Sequence, residues 1–164
     1  MARVHRALRF HDWVELKAAA AELELKMRHP PPDVVARARE VLARPTSASP
    51  LHIREVTYAE RTLDPKNWPK TVSILIQAFR IGDLGIAAVP FETFTETGLE
   101  IKAKSPFKDT FTIELANGSN GYLPTPEQHE LGGYETWLGT SRVEPKSSRQ
   151  IVARHMELFQ SVKR

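Results

Sequence analysis

Apolar and polar residues change rhythm several times along this chain. Near the start stand Val4, Leu8 and Trp13, with His11 and Asp12 intervening, like the tail of a helix already under way. Leu23, Leu25 and Met27 then alternate with Glu24 and Lys26, the period of two expected of a half-buried strand, and HPPPD stops it. Asp33 is positioned to cap a helix from Val34 to Leu42, whose apolar stripe is Val34, Val35, Ala38, Val41 and Leu42. PTSASP reads as a surface loop, and a second helix is expected from about Ile53 to Leu63, ending at DPKNWP.

The pattern then turns to strands. TVSILIQAFRIGDLGIAAVPFE is two β-rich runs split by Gly82-Asp83, the signature of a hairpin with glycine at a positive-φ corner. LGIAAV is apolar at successive positions, which predicts a central strand covered on both sides. After Pro90 the chain turns into a helix and returns as a strand between Phe107 and Leu115. A loop rich in glycine and asparagine, a short helix around PEQHELGGYE and a closing helix from Ser147 to Val162 complete the chain. The closing stripe is Ile151, Val152, His155, Met156, Phe159 and Val162, which makes His155 a core-edge residue. Strands alternating with helices predict an α/β domain: a mixed sheet with helices packed on its faces.

Bulk properties narrow the function. A chain of 164 residues fits a single domain, and 41% hydrophobic and 26% charged residues are ordinary for a globular protein. The net charge of +3 is spread along the chain, with no dense basic block or aromatic platform, which argues against nucleic acid as a partner. With no cysteine, disulfides and thiolate metal sites are excluded. No apolar run reaches membrane-spanning length, and MARVHRALRFHDWVELKAAAAELEL lacks the apolar centre of a signal peptide, so the compartment is unknown from these residues.

Two residues suggest chemistry. Glu92 lies just beyond the strand ending at Val89, and Tyr122 a few residues beyond the strand ending near Ala116. If those strands are parallel neighbours, both side chains emerge at one carboxyl edge, where open α/β sheets bind ligands. A carboxylate and a phenolate suit a hard or borderline cation. They supply half a site, because catalytic zinc takes three protein ligands as a rule. The six histidines contain no HxH or HExxH pairing, and no serine sits in a GxSxG elbow.

Two motifs carry a resemblance. IGDLGIAAVPFETFTETG looks like the segment of neutral/alkaline ceramidases in which IGDLAIVxVPxE is followed by threonines and a glycine. LANGSNGYLPTPEQHELGGYE resembles that family's later motif, where LxN and a loop precede a tyrosine, a threonine, a glutamate-rich turn and a YE pair. The likeness is strongest from Val72 to Trp137 and extends loosely over the chain, which resembles the carboxy-terminal part of the catalytic region of the shorter bacterial ceramidase-like proteins.

The resemblance implies a zinc amidohydrolase that splits the N-acyl amide of ceramide or a related lipid. It carries the family's zinc ligands onto Glu92 and Tyr122, and onto Tyr134 the tyrosine that holds the scissile carbonyl oxygen. Family members bring two zinc histidines, a serine and an arginine from a region upstream, which has no counterpart among these residues. The chain is therefore expected to be an incomplete part of a larger catalytic domain, inactive alone and weak in zinc binding. It departs from the family in NGSNG and in Phe91, which stands where a small residue is usual. Such relatives are often secreted or periplasmic. The alternative expectation is a non-catalytic module that self-associates through sheet surface left uncovered around LGIAAV.

Overall fold

The computed structural model describes residues 8, 10–45 and 49–164. In chain order come β1 (Leu16–Lys26), α1 (Pro32–Ala43), α2 (Glu55–Leu63), β2 (Thr71–Ile81), β3 (Leu84–Ala88), β4 (Glu92–Thr93), α3 (Thr95–Lys104), β5 (Asp109–Ile113), β6 (Tyr122–Leu123), α4 (Pro126–Leu131) and α5 (Ser147–Lys163). Four strands form a mixed sheet in the order β1-β2-β3-β5, and β4 and β6 form a separate two-stranded ladder. No helix among the described residues is long and apolar enough to cross a membrane.

The alternation seen in Leu23, Leu25 and Met27 belongs to a longer strand. β1 pairs antiparallel with β2 along its whole length, from Leu16 opposite Ile81 to Lys26 opposite Thr71. Its alanine run would favour a helix in isolation, but pairing and burial of every second side chain override that preference. The helix tail expected before it is not found among the described residues: Leu8 and residues 10–15 are not helical, and Val4 lies outside the described residues. The predicted helices hold to within a few residues, with one change of detail. Asp33 makes no cap; Pro31 stands at that position, and Asp33 sits in the first turn of α1, where its charge complements the helix dipole. Of the PTSASP loop, residues 46–48 lie outside the described residues.

The hairpin follows the sequence closely. Ile81 and Leu84 are the last pair of β2 and β3, and Gly82 turns the corner at φ +58°. β3 runs parallel to β5, so α3 makes the crossover that a parallel pair requires. Gly85 is needed for packing, since a Cβ there would lie 2.6 Å from the Phe107 ring.

One face of the sheet carries the core. Leu25, Ile74, Ile76, Ala78 and Ala87 are buried with Ile101 of α3 and with Ile151, Val152, Phe159 and Val162 of α5. The Phe107 and Phe159 rings meet edge to face at 5.6 Å. The predicted stripe of the closing helix is thus realised, and His155 lies deeper than a core edge, with no exposed surface. Both its nitrogens face carbonyl oxygens, Nδ1 at 2.9 Å from Ile151 and Nε2 at 3.3 Å from Ala88.

The opposite face is open. Ala18, Phe79, Ile86 and Phe111 line up across the four strands in register, with Leu16, Ile81 and Leu84 in the next row. Phe111 and Ile113 are 46% and 45% exposed, and Leu16 is 69% exposed. LGIAAV therefore has the central position expected of it but cover on one side only. Helices α1 and α2 pack against each other around Ala38, Val41, Ala59 and Leu63.

Candidate metal and amide site

Both candidate ligands stand where the parallel pair ends. Beyond Ala88, the backbone keeps its partner for three more residues: Val89 N–H donates to Ile113 O, Ala116 N–H to Val89 O and Leu115 N–H to Phe91 O, at 2.9 to 3.1 Å. The chain then bends at Leu115, Asn117, Gly118 and Gly121, all with positive φ. Glycine tolerates this conformation, and asparagine tolerates it better than most residues do. Asn120 ties the bend back: its backbone N–H and its side-chain amide both donate to Pro90 O at 3.0 Å. Gly121 O accepts from Glu92 N–H at 3.0 Å, which starts the β4–β6 ladder.

In that ladder Glu92 is the direct partner of Tyr122. Partners in a parallel pair project to the same face, so carboxylate and phenol stand side by side. The nearness of Glu92 to the Tyr122 hydroxyl is the main reason the phenol's pKa is raised, with desolvation and the carboxylate's charge adding to it. Tyr134 also lies here. Its ring meets that of Tyr122 edge to face at 6.1 Å, and it is 43% exposed. The three predicted residues are thus brought together.

Residues the motifs did not single out hold them in place. Thr140 clasps both tyrosines: its carbonyl accepts from Tyr122 N–H at 2.9 Å, and its hydroxyl donates to Tyr134 O at 2.5 Å. A Cβ at Gly121 would lie 2.3 Å from that same Thr140 carbonyl oxygen, so only glycine admits the contact. Arg28, just past β1, donates from Nη1 to Thr136 O at 2.8 Å and to Ser141 O at 2.9 Å, pinning the loop that carries Tyr134. An isolated arginine after a strand gives no sequence signal for this role. Phe91, which precedes Glu92, is fully buried in the core, so its size serves packing.

As a donor set, a carboxylate beside a phenol fits zinc in type and falls short in number. Among the described residues no group of three or more histidine, cysteine, aspartate or glutamate side chains could hold a metal ion. Of the histidines nearest in sequence, His155 is in the core, and His129 is half-buried, with burial and Arg28 lowering its pKa.

No family model matches the chain, and no curated protein matches it. Among solved structures, its fold is similar to neutral ceramidase from Pseudomonas aeruginosa, with a TM-score of 0.60 and 15% identity over 90% of this chain and 28% of that one. It is also similar to a ceramidase complexed with C2, with a TM-score of 0.53 and 18% identity over 83% of this chain and 20% of that one. The chain thus spans under a third of the length of either. It has an α/β fold, a mixed sheet with packed helices, like that of a part of neutral ceramidase, as its two ordered motifs lead one to expect.

Proposed function

We propose that this chain supplies the carboxylate-and-phenol part of a zinc amidohydrolase site acting on the N-acyl amide of ceramide or a related lipid. The observation that carries this reading is the direct pairing of Glu92 with Tyr122 at the carboxyl edge of a parallel pair. Glu92 and Tyr122 would hold the zinc, and two anionic oxygens would offset its charge. Bound there, zinc supplies Lewis acidity and lowers the pKa of water. Tyr134, exposed beside Tyr122, is the donor for the carbonyl oxygen as negative charge develops on it.

Two ligands make a weak site, so the remaining donors come from residues other than these. The isolated chain then binds zinc feebly and leaves a ceramide intact. Equilibrium dialysis with zinc and a fatty-acid release assay on a short-chain ceramide test both statements. Loss of the residual zinc binding in Glu92→Gln and Tyr122→Phe supports the reading. Robust zinc-dependent hydrolysis by this chain alone would refute its incompleteness.

A second reading rests on the open sheet face. Apolar rows such as Ala18–Phe79–Ile86–Phe111 are the surface of an interface, and a non-catalytic module would use them to pair with a second copy of itself. A monomer at all concentrations in sedimentation would count against it.

A further inference from the structure

Two cavities meet at the α1–α2 hairpin. The first, of about 440 Å³, is walled by Trp68, Trp137 and Leu138. The second, of about 280 Å³, is lined from both helices, by Ala38, Val41 and Ala59 among others. Val34, Tyr58, Thr62 and Trp137 line both, so the two adjoin as one cleft. At its neck the Tyr58 and Trp137 rings meet edge to face at 6.3 Å. The first cavity alone falls within the roughly 300–1,000 Å³ of small-molecule sites, and its walls are largely apolar and aromatic, as such sites are.

The cleft also holds a cation without an anion. Arg142 is half-buried in the wall of the first cavity, its guanidinium 6.0 Å from the centroid of the Trp68 ring. Its Nη2 donates to Asn67 O, and among the described residues Nε and Nη1 make no hydrogen bond. Arg61 lines the same cavity. Neither arginine has a carboxylate partner among the described residues, whereas Arg37, Arg44, Arg80, Arg149 and Arg154 all do. Glu55, the one carboxylate among the described residues that line the cleft, is held by Arg44 at 3.1 and 3.2 Å. Burying a charge is costly unless an opposite charge shares the site. A guanidinium with donors to spare is a ready partner for a carboxylate.

We infer that this cleft is a binding site for a single-chain fatty acid. Arg142 takes the carboxylate, Arg61 adds positive charge, and the hydrocarbon chain runs past Tyr58 between α1 and α2. Burial of the chain supplies affinity, and the guanidinium selects the head group. Trp137 meets Tyr134 at 5.4 Å, so one end of the cleft lies beside the candidate site, where hydrolysis of an acyl amide would release such a carboxylate. The inference does not depend on that hydrolysis, because binding is measured without turnover.

Calorimetric titration of the whole chain with dodecanoate, below its micelle-forming concentration, tests this. Tryptophan emission is read alongside, since Trp68 and Trp137 line the cleft. Saturable one-to-one binding that moves the emission to shorter wavelength is expected. Dodecanol, with the chain but no charge, and acetate, with the charge but no chain, bind at least tenfold more weakly. Arg142→Gln weakens dodecanoate binding at least tenfold. If that variant does not fold, Val34→Phe fills the neck, spares the cation and gives the same loss. Phe111→Lys, which alters the open sheet face, leaves binding intact. Dodecanol binding as tight as dodecanoate, tighter binding of dodecyl phosphate, or unmoved emission overturns the inference. So does full affinity in folded Arg142→Gln or Val34→Phe, or a loss in Phe111→Lys, which would put the ligand on the sheet.

Discussion

Glu92 and Tyr122 are register partners in a parallel ladder, and the carboxylate of one bears on the phenol of the other. A negative charge beside a phenol opposes its ionisation, so in the metal-free protein the pair holds its proton on Tyr122. Glu92→Gln removes the charge and most of the hydrogen-bond asymmetry. Tyr122 then titrates at lower pH than in the parent, toward the ordinary tyrosine value. Tyrosine-selective NMR or an absorbance titration measures this, and Tyr134, on which the Glu92 charge is the smallest of the influences, shifts much less.

Gly121 bears the closest contact in the bend. Alanine there has to adopt φ near +85° and meet the Thr140 carbonyl oxygen at 2.3 Å. The expected cost is about 3 kcal/mol, from an unfavourable backbone region plus a clash with backbone. Gly118 has φ +143° but nothing within 4 Å, so its alanine variant costs about 1 kcal/mol. Denaturant unfolding of the two variants measures the difference, which is a direct reading of how tightly Tyr122 is seated.

His155 makes stability depend on pH. Burial lowers its pKa, and the neighbouring carbonyl oxygens oppose that shift only in part. A histidine with a depressed folded-state pKa binds its proton more readily when unfolded. Its contribution is therefore complete above about pH 6.5 and is lost as the pH falls through the folded value. His129, depressed by burial and by Arg28, acts in the same direction. The unfolding free energy falls between pH 7 and pH 5, and the slope is shallower in His155→Gln. An unaltered slope assigns the effect to other groups.

The open face makes a prediction about association. Phe111 lies about half-exposed at the β5 end of an apolar row that crosses the four strands. Replacing it with lysine costs little stability, because the side chain already faces water, yet places a charge in any interface formed there. If copies pair through this face, sedimentation shows an association that Phe111→Lys weakens at least tenfold, whereas Leu131→Lys, a change at a more exposed side chain on another surface, leaves it intact.

Much of this was legible in the sequence, and the parts that were not share a cause. The hairpin at Gly82 and the closing stripe from Ile151 to Val162 are local patterns, and a local pattern is enough to specify them. A helix between β3 and β5 allowed them to be parallel neighbours without requiring it; the pairing meets that condition and brings Glu92 and Tyr122 together. The extent of β1 was hidden because alanines carry no alternation, so only pairing with β2 shows where the strand begins. Arg28 and Thr140 act through contacts that no local pattern announces: Arg28 Nη1 reaches carbonyls more than a hundred positions away. The one-sided cover of LGIAAV was equally out of reach, since an apolar strand does not state which of its faces is packed.

Zinc titration of the isolated chain, followed by tyrosinate difference absorption, tests the central claim most directly. A cation held between Glu92 and Tyr122 reverses the sign of the local charge and drives the proton off the phenol. The account predicts a zinc-dependent tyrosinate signal near neutral pH that is weak in affinity and is abolished by Tyr122→Phe and by Glu92→Gln, but kept in Tyr134→Phe. Zinc binding of the same strength in all three variants, with no tyrosinate formed, would contradict it.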